Sequence, residues 1–215
     1  MSTETEAKFI VRDILAFHSL QGLTSLGEFN VKAAGRQEVR DTYLDTRDRM
    51  YLQAGYACRL RELEGSEYFI GLKSLVRGKS DVYVRVECEE RIDNPTIAVH
   101  PELWPMGPTR ELATRIGRGV LLGALCELRQ TRWKRRIARG KDPMARPLFE
   151  LSLDEVRLPG LLYCVEVELL EDGTLEELTR ITRLLRKAAP LEADEMSKLE
   201  HALKAAGIPF PKTAS

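Results

Sequence analysis

Residues 147–170 read PLFELSLDEVRLPGLLYCVEVELL, and the apolar positions fall at every second place. Phe149, Leu151 and Leu153 interleave with Glu150, Ser152 and Asp154; beyond Pro159-Gly160, Val165, Val167 and Leu169 interleave with Glu166 and Glu168. A period of two marks a β-strand whose faces differ. Pro147 to Val156 and Leu161 to Leu170 therefore form two strands joined by a turn, with an apolar face that helices can cover. The carboxylate-rich faces leave two solutions, an open sheet with one wet face or a closed barrel with a polar interior.

The same spacing recurs along the chain. Glu4, Glu6 and Lys8 alternate with Thr5 and Ala7 ahead of Phe9-Ile10-Val11, and the pattern returns in Arg59/Arg61, in Arg85/Glu87/Glu89 and in Arg132/Lys134. Tyr56 to Leu63 and Tyr68 to Ser74 flank Glu64-Gly65-Ser66-Glu67 and should pair as a hairpin. Val82 to Glu90 follows a turn at Arg77-Gly78-Lys79, and Leu128 to Ile137 stops before Gly140-Lys141-Asp142-Pro143. With Thr3 to Phe9 and a pair of strands around Ala34-Gly35, the reading gives a meander of about eight or nine strands. Leu175, Leu178, Ile181, Leu184 and Leu185 repeat at helical spacing behind a capping box, Thr174 with Glu177. Thr109 to Leu122 and Ala193 to Ala206, the latter stopped by Gly207, are two further predicted helices. Ile208-Pro209-Phe210-Pro211 reads as a loose tail.

Electrostatics bears on the choice between sheet and barrel. Two like charges on one strand face, about 6.6 Å apart, repel by roughly 2 to 3 kcal/mol at an effective dielectric of about 20. Repeating that at Glu4/Glu6, Glu87/Glu89, Glu166/Glu168 and Arg59/Arg61 suits a binding cavity better than a surface, although Glu4 and Glu6 alone would also fit a solvated edge strand. A divalent cation relieves the acidic pairs and a polyanion the basic ones. A metal-chelated chain of phosphates does both, and Mg²⁺ or Mn²⁺ are the cations such oxygen donors favour.

Composition excludes other classes. Thirty-three Lys and Arg balance thirty-three Asp and Glu among 215 residues, so no long-range field of one sign recommends a nucleic acid or a membrane as partner. The basic run Arg129 to Arg139 around Trp133 is the one stretch that argues for nucleic acid; neutrality and its place among the strands favour a barrel wall. The chain has no apolar run near the roughly 20 residues of a membrane span, and Met1 to Lys8 lacks the features of a signal peptide, so a cytoplasmic protein with one domain over residues 1–215 is expected. Cys58, Cys88, Cys126 and Cys164 are isolated and read as reduced core fillers. His18, His100 and His201 have no partner at ligand spacing.

Taken in order, Glu4-Thr-Glu-Ala-Lys8, Arg59-Leu-Arg61 with Lys73, Arg85-Val-Glu-Cys-Glu89, Gln130-Thr-Arg132-Trp133, Phe149-Glu150, Val165-Glu-Val-Glu168 and Ser197-Lys198 resemble the motifs of the CYTH, or triphosphate tunnel metalloenzyme, superfamily. The resemblance spans residues 4–198 and implies a mainly β fold, an eight-stranded antiparallel β-barrel with flanking helices. It implies Glu4, Glu6, Glu150, Glu166 and Glu168 as metal ligands for Mg²⁺ or Mn²⁺. Lys8, Arg59, Arg61, Lys73, Arg85, Arg132, Lys134 and Lys198 are implied to bind phosphates, with Glu168 and Lys8 as catalytic groups. Two positions depart from the pattern. Gln130 stands where many members have a lysine, with Lys134 or Arg129 as its candidate replacement, and Ser152 where some have an acid, with Asp154 as candidate. The expected activity is metal-dependent hydrolysis of a triphosphate, inorganic tripolyphosphate first and thiamine triphosphate next. A class IV adenylate cyclase, and a non-catalytic binder of polyphosphate or nucleotides, are the alternatives. A homodimer is compatible with this reading.

Overall fold

The structure is a computed structural model and describes residues 2–75, 82–140, 142 and 144–210. The alternating segments become strands β1 (Ser2–Val11), β2 (Ser25–Leu26), β3 (Phe29–Asp45), β4 (Tyr56–Leu63), β5 (Glu67–Ser74), β6 (Val82–Ile92), β7 (Gly123–Arg139), β8 (Phe149–Leu158), β9 (Gly160–Leu169) and β10 (Leu191–Ala193). Helices α1 (Ile14–Gln21), α2 (Met50–Gln53), α3 (Pro108–Gly117), α4 (Leu175–Ala188) and α5 (Lys198–Ala205) lie between or after them. The strand order β1-β6-β5-β4-β3-β7-β8-β9 closes through a β9–β1 ladder, giving an antiparallel barrel of eight strands. The choice between open sheet and barrel is thus settled: no barrel strand is left with a free edge.

Alternation gives each wall a dry outer face. Phe9, Phe149, Leu151, Leu153, Val165 and Val167 pack outward against Phe17 and Leu20 of α1 and Leu178, Ile181 and Leu185 of α4, all buried. Full burial of such a side chain is worth about 1.5–3 kcal/mol, so these two helices hold one side of the barrel. A second outer cluster joins Cys58, Ile70, Leu72 and Cys88 to Tyr51 of α2, to Leu112 and Ala113 of α3, and to Trp104. The third cluster lies inside. Tyr43, Ala57, Leu128, Val156 and Cys164 share strand faces with the polar interior residues, and they pack against Leu199, Ala202 and Leu203 of α5. Helix α5 therefore closes one end of the barrel, and the expected tunnel is blind there.

Several expected elements are corrected. The pair of strands around Ala34-Gly35 is one continuous strand, β3, with its register shift between Ala33 and Gly35. Gly35, at φ 143°, absorbs an extra residue as a bulge where a hairpin was expected. Helix α3 stops at Gly117, because Arg118 and Gly119 take left-handed conformations. The last helix begins at Lys198, not Ala193: Leu191–Ala193 pairs with β1, and Ser197 with Glu200 forms the capping box that starts α5. Cys126 is only half-buried, unlike the other three cysteines. The Arg77-Gly78-Lys79 turn, Lys141, Pro143, Pro211 and Met1 lie outside the described residues.

Candidate active site

The barrel encloses a cavity of about 380 Å³. Glu4, Glu6, Arg59, Arg61, Lys73, Arg85, Arg132, Lys134, Glu150, Glu166 and Glu168 all line it, as the period-two reading requires, and Lys198 joins them from helix α5. The charges are sorted around the wall. Carboxylates crowd the arc formed by β8, β9 and β1, whereas β5, β4 and β7 carry Lys73, Arg59, Arg61, Arg132 and Lys134; β6 mixes Arg85 with Glu87 and Glu89, and Asp41 of β3 stands among the basic residues. Gly71 sits between Arg59 and Glu89 in register, and having no side chain it lets the Arg59 guanidinium reach across β5 to β6.

Cross-strand register pairs opposite charges, which corrects the expectation of unrelieved like-charge repulsion. Arg59 bridges Glu87 at 3.0 Å and Glu89 at 3.1 Å. Arg61 makes a two-pronged bond to Asp41, both contacts 2.8 Å. Arg132 does the same with Asp154 at 2.7 Å and also meets Glu166 at 3.0 Å. Lys198 reaches in from α5 to Asp154 at 2.6 Å and Glu166 at 2.8 Å. Lys134 and Arg136 share Glu150, each at 2.9 Å. Lys73 pairs with Glu4, and lies 3.6 Å from both Glu6 and Glu87. Burial alone would push the carboxyl of Asp41 upward, yet the Arg61 ion pair and hydrogen bonds hold it below the usual range. For Asp154, Arg132 and Lys198 likewise outweigh burial.

A few carboxylate oxygens are left over. Glu6 on β1, Glu168 on β9 and Glu150 on β8 are successive register partners, a row across three strands. Among the described residues Glu168 makes no ion pair or hydrogen bond, and burial, then Glu150, raises its pKa. Oε1 of Glu6 is buried without a hydrogen bond; Arg85 stands 3.2 Å away, within ion-pair range but off hydrogen-bond direction. Glu4, desolvated by burial and flanked by Glu6 and Glu87, is pushed up to about 8 despite Lys73. Oxygen donors short of positive charge fit a hard divalent cation. No three side chains of the described residues already converge to hold an ion, so such a cation would complete its shell with phosphate oxygens and water.

Lys8 is placed differently from the other singled-out residues. Its ammonium donates to the Met196 carbonyl at 2.7 Å and lies 4.6 Å from the Tyr83 ring centre, outside the cavity lining, with its pKa lowered first by burial and then by Arg85. Of the candidates to replace the missing cation, Lys134 faces the cavity, whereas Arg129 is on the outer surface against Glu127. Gln130 is buried with neither end of its amide hydrogen-bonded to protein. Asp154 has both oxygens committed to Arg132 and Lys198. The sequence reading missed Asp41. Its only signal is a lone acid in the apolar alternation Val39, Asp41, Tyr43.

A family model described as the CYTH domain matches residues 2–203. No curated protein matches the chain. Among solved structures, HpAC1 from Hippeastrum, described as an adenylyl cyclase candidate with a dominant triphosphatase activity, is 23% identical with a TM-score of 0.71, covering 97% of this chain and 98% of its own. An adenylate cyclase candidate from Bacillus halodurans is 19% identical with a TM-score of 0.63, over 94% and 98% of the two chains. The PH1012 protein from Pyrococcus horikoshii, 18% identical over 92% and 98%, gives 0.57. At these identities the likeness is one of fold.

Proposed function

The chain belongs to the CYTH domain family, and from that premise we propose that it hydrolyses a triphosphate with a divalent cation, Mg²⁺ or Mn²⁺, inorganic tripolyphosphate being the substrate. CYTH enzymes are metal-dependent and take small triphosphates. The observation that carries the reading is a cavity wall that sets Arg59, Arg61, Arg132 and Lys198 around the same space as the under-neutralised carboxylates of Glu6 and Glu168. Arg59, Arg61, Arg132 and Lys198 grip the non-bridging oxygens, the arginines by forked hydrogen bonds. Glu4, Glu6 and Glu168 would hold the cation, with Glu150 shared between it and Lys134; the ion would neutralise charge that develops on the phosphates. Glu168, which makes no ion pair among the described residues, orients the attacking water and accepts its hydrogen bond. Lys8 acts through the Met196 carbonyl, holding the segment that leads into α5.

Phosphate release from tripolyphosphate, thiamine triphosphate and ATP, with Mg²⁺ and with Mn²⁺, tests the proposal. Metal-dependent release, fastest from tripolyphosphate, is the expected result. Binding without release marks a non-catalytic module, and pyrophosphate with cyclic AMP from ATP marks a cyclase.

A further inference from the structure

We propose that Asp41 of β3 and Asp154 of β8 are positioning residues, each clamping one phosphate-facing arginine, and that Asp154 also fastens the end helix α5 to the wall through Lys198. The inference rests on the triphosphate reading above. Both side chains are buried, 1% and 0% exposed. Each takes the Nε and Nη2 edge of its arginine with its two oxygens, Asp41 from Arg61 and Asp154 from Arg132. Among the described residues Nη1 of both arginines makes no bond to protein, although both residues line the cavity. An arginine fixed along one edge keeps its other edge for an anion and loses little freedom on binding; that edge is open on Arg61, whereas on Arg132 Nη2 also donates to Glu166 at 3.0 Å, a contact the anion has to displace. Asp154 Oδ2 also accepts from Lys198 at 2.6 Å, so the lysine of α5 is aimed from the same anchor. Every oxygen of the two aspartates already accepts a charge-assisted hydrogen bond, so a metal would have to compete with the arginines and Lys198 for them. The clamp is separate from the carboxylate row Glu6, Glu168 and Glu150.

The test is calorimetric titration of the metal-free protein, in chelator, with inorganic tripolyphosphate. Wild type binds, and Arg129→Ala, altered on the outer surface, binds as well as wild type. Asp154→Asn and Asp41→Asn, which keep shape but lose charge, bind about tenfold or more weakly, the size of a lost charge-assisted contact. In Asp154→Asn the metal concentration for half-maximal turnover stays at the wild-type value, which a metal ligand or a merely loosened fold would not allow. Undiminished binding by both variants overturns the clamp alone. A wild type that binds no tripolyphosphate with or without Mg²⁺ takes down the functional reading as well. Should Asp154→Asn fail to fold, Asp41→Asn and a structure of wild type with Mg²⁺ and tripolyphosphate decide: both forks intact supports the clamp, and either aspartate on the metal refutes it.

Discussion

Glu6 of β1 and Glu168 of β9 stand directly opposite each other in an antiparallel ladder, on the inner face of the barrel. Two carboxylates so placed repel unless a cation or a proton intervenes. Burial, then Glu150, raises the pKa of Glu168 against the more distant charge of Lys73, and among the described residues it makes no ion pair. Glu168→Gln should therefore cut metal-dependent turnover by about 10²-fold or more, the scale for losing a positioned proton acceptor. The melting temperature of the metal-free variant should equal or exceed that of wild type. Steady-state rates across a metal titration, with melting curves in chelator, check both. Full activity in the variant would remove Glu168 from the chemistry.

Glu4 gives a pH dependence whose sign can be worked out. Its carboxyl keeps its proton to about pH 8 in the fold, against an ordinary value of 4.5. The folded state therefore binds the proton more tightly than the unfolded chain, and stability falls as pH rises between those two values. Glu4→Gln removes this penalty. In metal-free protein its advantage in melting temperature over wild type should grow from about pH 5 to about pH 8.5. A constant difference across that range contradicts the shift.

Arg61 and Arg59 should respond differently to truncation. Arg61→Ala strands Asp41, 1% exposed, and breaking a buried pair this way costs about 3–5 kcal/mol. Arg59 bonds to Glu87 and Glu89, which are 20% and 30% exposed, so Arg59→Ala should cost about 1 kcal/mol or less. Both should weaken triphosphate binding. Urea denaturation ranks the two, and equal stabilities would argue against the Asp41 fork.

Mg²⁺ with tripolyphosphate should raise the melting temperature more than either alone. A ligand that binds only the folded state stabilises it by about 2.7 kcal/mol at roughly 100 times its dissociation constant. Because the empty cavity already neutralises most of its own charge, the phosphates have to displace Glu87, Glu89 and Glu166 from their arginines. The cation compensates by taking the carboxylates. Superimposed melting curves at millimolar ligand would show that the cavity takes no such complex.

Much of this was legible from the period of two. Glu4, Glu6, Arg59, Arg61, Arg132 and Glu166 point inward because alternation leaves no other choice once Ala7, Leu60 and Val167 point outward. Cross-strand neighbours were not legible. Arg61 meets Asp41, and Arg132 meets Asp154, by registers that hydrophobic patterning does not encode, so same-strand repulsion was overrated. Lys8 has the inward spacing of Glu4 and Glu6, yet its long chain follows the Met196 carbonyl out of the cavity. The bulge at Gly35 looks like a turn locally, and only pairing with the equally long β7 keeps β3 one strand. Asp13 caps α1 through the Leu15 N–H, a local signal that is visible in hindsight, whereas Asp45 accepts from the Tyr51 and Leu52 N–H groups of α2 from beyond its Arg49 N-cap.

Helix α5 makes that end of the barrel a cul-de-sac floored by Tyr43 and Ala57, with Leu128, Val156 and Cys164 packed beside them. On the proposed hydrolysis, a fragment left beside Lys198 would lie deepest in the cavity, at the α5 end, so its departure, and not bond breaking alone, can set the pace of turnover.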